Sequence, residues 1–297
     1  MKKTGRYELL HGREHLILFM RSIALIFIFN SFLISTGSTS LDDEYSPEFV
    51  NILENVYGGG FLSQGGTHSL DQMFDGIELE GKNILDIGCG LGGADIYLAE
   101  KYSCIVTGID AVEHLIEKAQ ATAKQSAAAS RLLFTCVTCE EYDFTQGEFD
   151  IIFSKEVFLH FPHKRDVIQK IYKALKPGGI AVILDWVTPT NQLGSTISAM
   201  IELDNLSLHM AVSGEYENLL SDAGFCTIKS TSLNELYIGY TSDNLAYLES
   251  NGEKIGAELY SYAINSWGKQ KQAFSCGEIL ATLLVAQKPL LKSQESL

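Results

Sequence analysis

The residues best equipped for chemistry sit in one stretch, NILDIGCGLGG, residues 83–93. An apolar run ends in Asp86, and Gly88, Gly90 and Gly93 follow in G-x-G-x-x-G spacing. Glycines after a buried strand let backbone N–H groups and a helix N-terminus approach a ligand closely. Asp110 follows Gly88 by 22 residues, where a carboxylate can accept both ribose hydroxyls of an adenosine. That geometry serves NAD and S-adenosylmethionine alike. Asp86 separates them. A nicotinamide cofactor would bring its pyrophosphate beside a buried carboxylate, which repels it. S-adenosylmethionine brings an ammonium and a sulfonium, which a carboxylate attracts.

These groups are positioned by alternating apolar and amphipathic stretches, the pattern of an α/β protein. Strands are expected at 83–87, 104–109, 132–137, 149–153, 180–184, 226–230 and 279–286. Helices are expected at 91–101, 112–129, 163–175 and 216–223. The helix at 163–175 should stop at Lys176-Pro-Gly-Gly, because proline cannot continue it and glycine supplies a left-handed turn. The pattern predicts a doubly wound, seven-stranded, mostly parallel sheet. Two long connectors, 188–213 and 233–277, read as helical insertions over the strand ends, where ligands bind in such sheets. Together with 41–66 they should roof the site. The domain is expected over 41–290, with a tail at 291–297.

Three features, Asp86 before the glycines, Lys176-Pro-Gly-Gly before strand five and FDIIFSKEVFLHF at strand four, make residues 80–286 resemble the class I S-adenosylmethionine-dependent methyltransferases. The resemblance implies that Asp86, Gly88 and Gly90 line the methionine part of the donor. It puts Asp110 on the ribose and Ala111 beside the adenine. The adenine amino group falls to Thr138 and Cys139, and Lys155 joins the donor contacts. The upstream segment, Tyr45-Ser-Pro-Glu-Phe through Tyr57-Gly-Gly-Gly-Phe-Leu-Ser-Gln-Gly-Gly, resembles the lid of phosphoethanolamine N-methyltransferases. That closer resemblance implies a Tyr45–His160 catalytic dyad, a donor contact from Ser63, and Glu156 near the substrate nitrogen. Trp186 is expected on the substrate side. A protonated amine has no free lone pair, so its proton must go to a base, and histidine titrates in the right range.

The chain departs from the phosphobase pattern after strand five. From Trp186 to Tyr216 there is no lysine or arginine, and the segment carries Glu202 and Asp204. A neutral or cationic small amine suits these acids better than a dianion. The expected activity is therefore methyl transfer to a small molecule at nitrogen, with phosphoethanolamine-like and other small amines both open. Two rival classes stay open: a NAD-dependent oxidoreductase, and a protein that binds the donor without turnover.

The bulk composition narrows the partners. A formal net charge of -15 over 297 residues argues against nucleic acid, whose phosphates demand basic patches. Cys136 and Cys139 have C-x-x-C spacing, but no second pair supplies a zinc site, and no metal is expected. A monomer is expected. The apolar run 16–35, interrupted by Arg21, is preceded by Lys2, Lys3, Arg6 and Arg13 and followed by Asp42, Asp43 and Glu44. It reads as a signal or anchor, as a helix at the domain or membrane surface, or as upstream sequence before a start at Met20. Cofactor supply points to the cytoplasm, with membrane association left open by this segment.

Overall fold

The computed structural model describes residues 45–290; the apolar run 16–35 and the tail 291–297 lie outside them. One sheet runs through these residues in the order β3-β2-β1-β4-β5-β8-β7, with the short β6 pairing β5. The strands are β1 Asn83–Ile87, β2 Ile105–Asp110, β3 Leu132–Cys136, β4 Phe149–Lys155, β5 Leu175–Thr188, β6 Ala211–Val212, β7 Cys226–Ser232 and β8 Leu280–Gln287. β1 to β5 pair in parallel, whereas β8 runs antiparallel between β5 and β7. The chain order reverses between β1 and β4, the point where ligands bind in such sheets. The fold is the doubly wound, mostly parallel sheet that the sequence predicts.

The apolar residues divide between the two faces. Ile84, Val106, Ile151, Phe153, Val182 and Leu184 join one core cluster. Leu85, Ile87, Ile152, Ala181 and Ile183 join the other, against Val167, Ile168 and Ile171 of α5, Lys164–Ala174. Strands buried on both faces must read as continuous apolar runs, which is why 83–87 and 149–153 stand out.

Two of the boundaries that differ from expectation, and one added strand, have local reasons. β5 begins at Leu175 and includes Lys176-Pro-Gly-Gly. There Gly178 N–H donates to Lys288 O at 3.0 Å and Lys288 N–H to Gly179 O at 2.8 Å, so ladder pairing continues through the expected turn. α4, Glu113–Ala123, ends six residues early. Ser126 Oγ accepts from Ala128 N–H at 2.9 Å, and such a side-chain bond competes with the helix. The eighth strand, β6, is two residues long, too short for periodicity to reveal.

Helices close the end of the sheet where the glycines lie. α1, Pro47–Tyr57, is capped by Ser46, whose hydroxyl accepts from Phe49 N–H, with proline in its first turn. Its Val50 packs with Leu91, Val112 and Leu115. α2 spans Gly66–Met73 and α3 spans Gly93–Tyr102. The first insertion folds as α6, Ser195–Asp204. α7, Glu215–Ala223, follows, and the second insertion folds as α8, Asn234–Ile255, and α9, Ala257–Ser275. Among the described residues no helix is long and apolar enough to cross a membrane.

Candidate active site

The crevice is built on the strand ends that the parallel register brings level. Asp86 of β1 pairs with Gly108 of β2 and Phe153 of β4, so Asp86, Asp110 and Lys155 reach one edge. The chain then turns sharply at Gly88, which has φ +82°. A Cβ there would lie 2.3 Å from Val157 Cγ2, so the turn requires glycine for both reasons. Gly93 meets the loop before α2: its N–H donates to Gly60 O at 3.1 Å, and a Cβ would stand 2.4 Å from that oxygen. Loop 58–65 is thereby clamped onto the glycine turn.

Carboxylates dominate beneath this turn. Asp86 and Asp95 are both buried. Burial raises the pKa of Asp86 well above the usual range, and the nearby Asp95 raises it further. Asp95 is also pushed up by burial, eased by its own backbone amide and by Asp86. Neither oxygen of Asp95 meets a side-chain donor from the described residues. The carboxyl group it faces belongs to Asp86, and two carboxyl groups bond only when one keeps a proton. Asp110 Oδ2 accepts from Gly90 N–H at 2.9 Å and its Oδ1 from Val112 N–H at 3.0 Å. Each oxygen retains a lone pair for a ribose hydroxyl.

Lys155 is the cation beside these acids. Its Nζ donates to Ser63 Oγ at 2.6 Å and to Gln64 O at 2.7 Å, and stands 3.5 Å from Glu156 Oε1. Three acceptors match the three ammonium protons. Burial lowers the Lys155 pKa, and Glu156 pulls it back up. Glu156 has φ +58°, a left-handed conformation that costs a non-glycine residue about 1–2 kcal/mol. It is held there: its N–H donates to Leu184 O at 2.7 Å, and Tyr237 O–H donates to Glu156 Oε1 at 2.6 Å.

Tyr45 and His160 come together across the crevice, ring centroids 6.3 Å apart and edge to face. His114 of α4 holds Tyr45 through its carbonyl, with Nε2 2.9 Å from Tyr45 O. His160 ends a single 3-10 turn, Phe158–His160. Burial lowers its pKa to about 4, helped by Lys164 and His209 nearby. The imidazole is therefore neutral near pH 7, with one ring nitrogen left as an acceptor. Tyr57 is part of the same region. Burial raises its pKa, and so do the charges of Glu156 and Asp204 and the neighbouring Tyr45.

The other expected residues are less central. Ala111 lies next to Asp110, and its carbonyl accepts from Cys136 Sγ at 3.7 Å. Thr138 Oγ1 donates to Glu141 Oε2 at 3.2 Å. The Cys139 thiol is buried and raised to about 12, which makes it inert as a nucleophile. Trp186 is packed into the sheet core against Phe274, rings 5.4 Å apart. Sequence reasoning missed Asp95, Gln64 and Tyr237. Asp95 lay in the helix after the glycines and carried a legible signal, a third acid near the motif. Tyr237 and Gln64 gave none, because their partners are 81 and up to 180 residues away.

The residues fit S-adenosylmethionine and oppose a dinucleotide. Within the Asp86–Asp95 pair one carboxyl keeps its proton and the other carries charge, which favours a cationic group and disfavours a pyrophosphate. The comparisons agree. The family described as a methyltransferase domain matches residues 78–249, and this chain belongs to it. Phosphoethanolamine N-methyltransferase 1 of Triticum aestivum is 28% identical over 240 residues, covering 79% of this chain and 47% of the relative. The phosphoethanolamine N-methyltransferase of Plasmodium falciparum is 27% identical over 218 residues, covering 72% of this chain and 80% of the relative. This chain spans about half the length of the plant relatives it matches. It shares its fold with Haemonchus contortus phosphoethanolamine N-methyltransferase 2, solved with phosphomonomethylethanolamine and S-adenosylhomocysteine. The TM-score is 0.76 at 21% identity, over 84% of this chain and 60% of that one.

Proposed function

We propose that this chain transfers a methyl group from S-adenosylmethionine to the nitrogen of a small amine. The observations that carry this reading are the acids at the glycine turn after β1 and the Tyr45–His160 ring pair in the loop after the neighbouring β4. Buried acids lie under the glycine turn, and a neutral histidine faced by a tyrosine follows β4, which pairs with β1. The names of the relatives, which act on phosphoethanolamine, support an amine acceptor.

The bound donor supplies an electrophilic methyl on sulfur. The chain's own residues would do the rest. Asp86 attracts the donor's ammonium, and Asp110 accepts from the ribose. Gly88 and Gly90 give the backbone room to approach, while Ser63 closes the site from the loop above. Ala111, Thr138 and Cys139 lie along the adenine end. Glu156 attracts the protonated amine, and His160, steered by Tyr45, takes its proton and frees the lone pair. Positioning contributes most to an in-line displacement.

The insertion after β5, residues 188–213, offers no lysine or arginine to a phosphate. Asp204 there is held by Tyr262 O–H at 2.9 Å and Ser266 Oγ at 2.7 Å. Lys155 is fully engaged by three acceptors. An unphosphorylated amine therefore suits the crevice at least as well as a phosphobase. The test is S-adenosylhomocysteine formation with ethanolamine, its N-methyl derivatives and phosphoethanolamine as separate acceptors. Turnover with the amines, lost in His160→Gln while donor binding persists, is the expected result. Failure to bind the donor, or turnover unaffected in His160→Gln, refutes the reading.

A further inference from the structure

One buried cation borders the donor site and has no step in the proton transfer. The Lys155 side chain is 8% exposed and sits at the centre of a bond network that spans three pieces of chain. From the end of β4 it reaches up to Ser63 Oγ and Gln64 O in the loop between α1 and α2. It also reaches sideways to its neighbour Glu156. The third piece is α8. Its Tyr237 donates to Glu156, while Thr241 Oγ1 donates to Gln64 Oε1 at 3.0 Å and Asn244 Nδ2 lies 3.4 Å from it. Gln64, Tyr237 and Thr241 are fully buried. Loop 58–65 is thus tied to β4 and to α8, and Glu156 is tied to the same two elements.

We infer that Lys155 is a positioning residue: it latches the loop above the crevice and, through the same ammonium, fixes the carboxylate of Glu156. The inference rests on the crevice being the methyl-transfer site proposed above. Lifting the loop removes Ser63 and Gln64 together and leaves a buried ammonium with one acceptor from three. A buried polar group stripped of its partners is costly, so the loop closes as a unit. The loop's contact with Gly93 closes over the donor side, and the contact with Glu156 sets the acceptor side. One lysine therefore couples closure over the donor to placement of the acceptor. Methionine in its place fills the same volume with no donors, while arginine keeps charge and several donors.

The experiment compares the full chain with Lys155→Met and Lys155→Arg. Hydrogen exchange is followed at residues 58–65 and in β1, alongside kcat and S-adenosylhomocysteine affinity. Lys155→Met is expected to speed exchange in the loop about tenfold while β1 keeps its protection, since local opening precedes global unfolding. kcat should fall about tenfold, with homologue affinity changing by less than about threefold, the split expected when placement and not binding is lost. Lys155→Arg should recover part of both. Loop exchange equal to the parent's, or equal acceleration in loop and sheet, overturns the latch. Should Lys155→Met not fold, the double variant Ser63→Ala/Thr241→Val removes one of the two loop acceptors of Lys155 and the Thr241 tie to Gln64, and leaves Lys155 in place. Faster loop exchange there supports the latch, and unchanged exchange overturns it. If the parent turns over no amine, the functional reading falls, while the exchange comparison still decides the latch.

Discussion

Neutralising the need for a buried, uncharged His160 gives a pH-dependent gain that the structure predicts in size. The folded His160 pKa is about 4, lowered first by burial and then by Lys164 and His209. The unfolded value is the ordinary 6.5. Between these two values the unfolded chain binds a proton that the folded chain refuses. Stability is then lost as pH falls below about 6.5 and continues to be lost toward about 4. At about pH 5 the proton-binding ratio, 1 + 10^1.5 over 1 + 10^-1, is about 30, or roughly 2 kcal/mol of lost stability. At about pH 7.5 the same term is close to zero. His160→Gln cannot titrate. Urea unfolding of both proteins at these two pH values should show the variant gaining roughly 2 kcal/mol on the parent at the lower pH, whatever packing it loses at both. A relative gain under about 0.5 kcal/mol would mean that His160 titrates normally in the fold. The argument that it stands neutral in the fold would then fail.

Asp185 should behave with the opposite sign. It is buried, accepts from Tyr216 O–H at 2.5 Å, and has its pKa pushed up to about 7. A carboxyl that keeps its proton in the fold loses stability as pH rises from about 4 through 7, so Asp185→Asn should gain about 2–3 kcal/mol on the parent between about pH 5 and 7.5 in the same urea assay. A gain in the reverse direction would contradict its burial. Gly88→Ala places a methyl 2.3 Å from Val157 Cγ2 at φ +82°, and should cost about 2 kcal/mol or more in thermal unfolding and weaken donor binding. Normal stability with normal donor affinity would show that the turn has slack which the geometry denies.

How much of this was legible in the sequence depended on the range of the interactions. The central strands announced themselves because burial on both faces demands unbroken apolar runs, as in NILDI and FDIIF. Asp86, the glycines and Asp110 were readable because one strand–turn–helix unit holds them at fixed spacing. Tyr45 and His160 were named from a resemblance, and the fold sets their rings face to edge although they lie 115 residues apart in sequence. The limits of β5 and α4 escaped notice, since backbone pairing with Lys288 and a serine side chain decided them.

The sequence by itself determined the α/β class, the glycine turn and the choice of a cationic donor over a dinucleotide. Each of these follows from residues within one local unit, where spacing fixes geometry. Only the tertiary structure decided what the ionisable groups are. Asp95 turns from a helix-start acid into a partner of Asp86, Lys155 from a lone cation into one bonded to the 58–65 loop beside Glu156, and His160 from an ordinary histidine into a neutral one. Charge state depends on burial and on neighbours brought in from distant elements, and neither is written in the spacing of a motif.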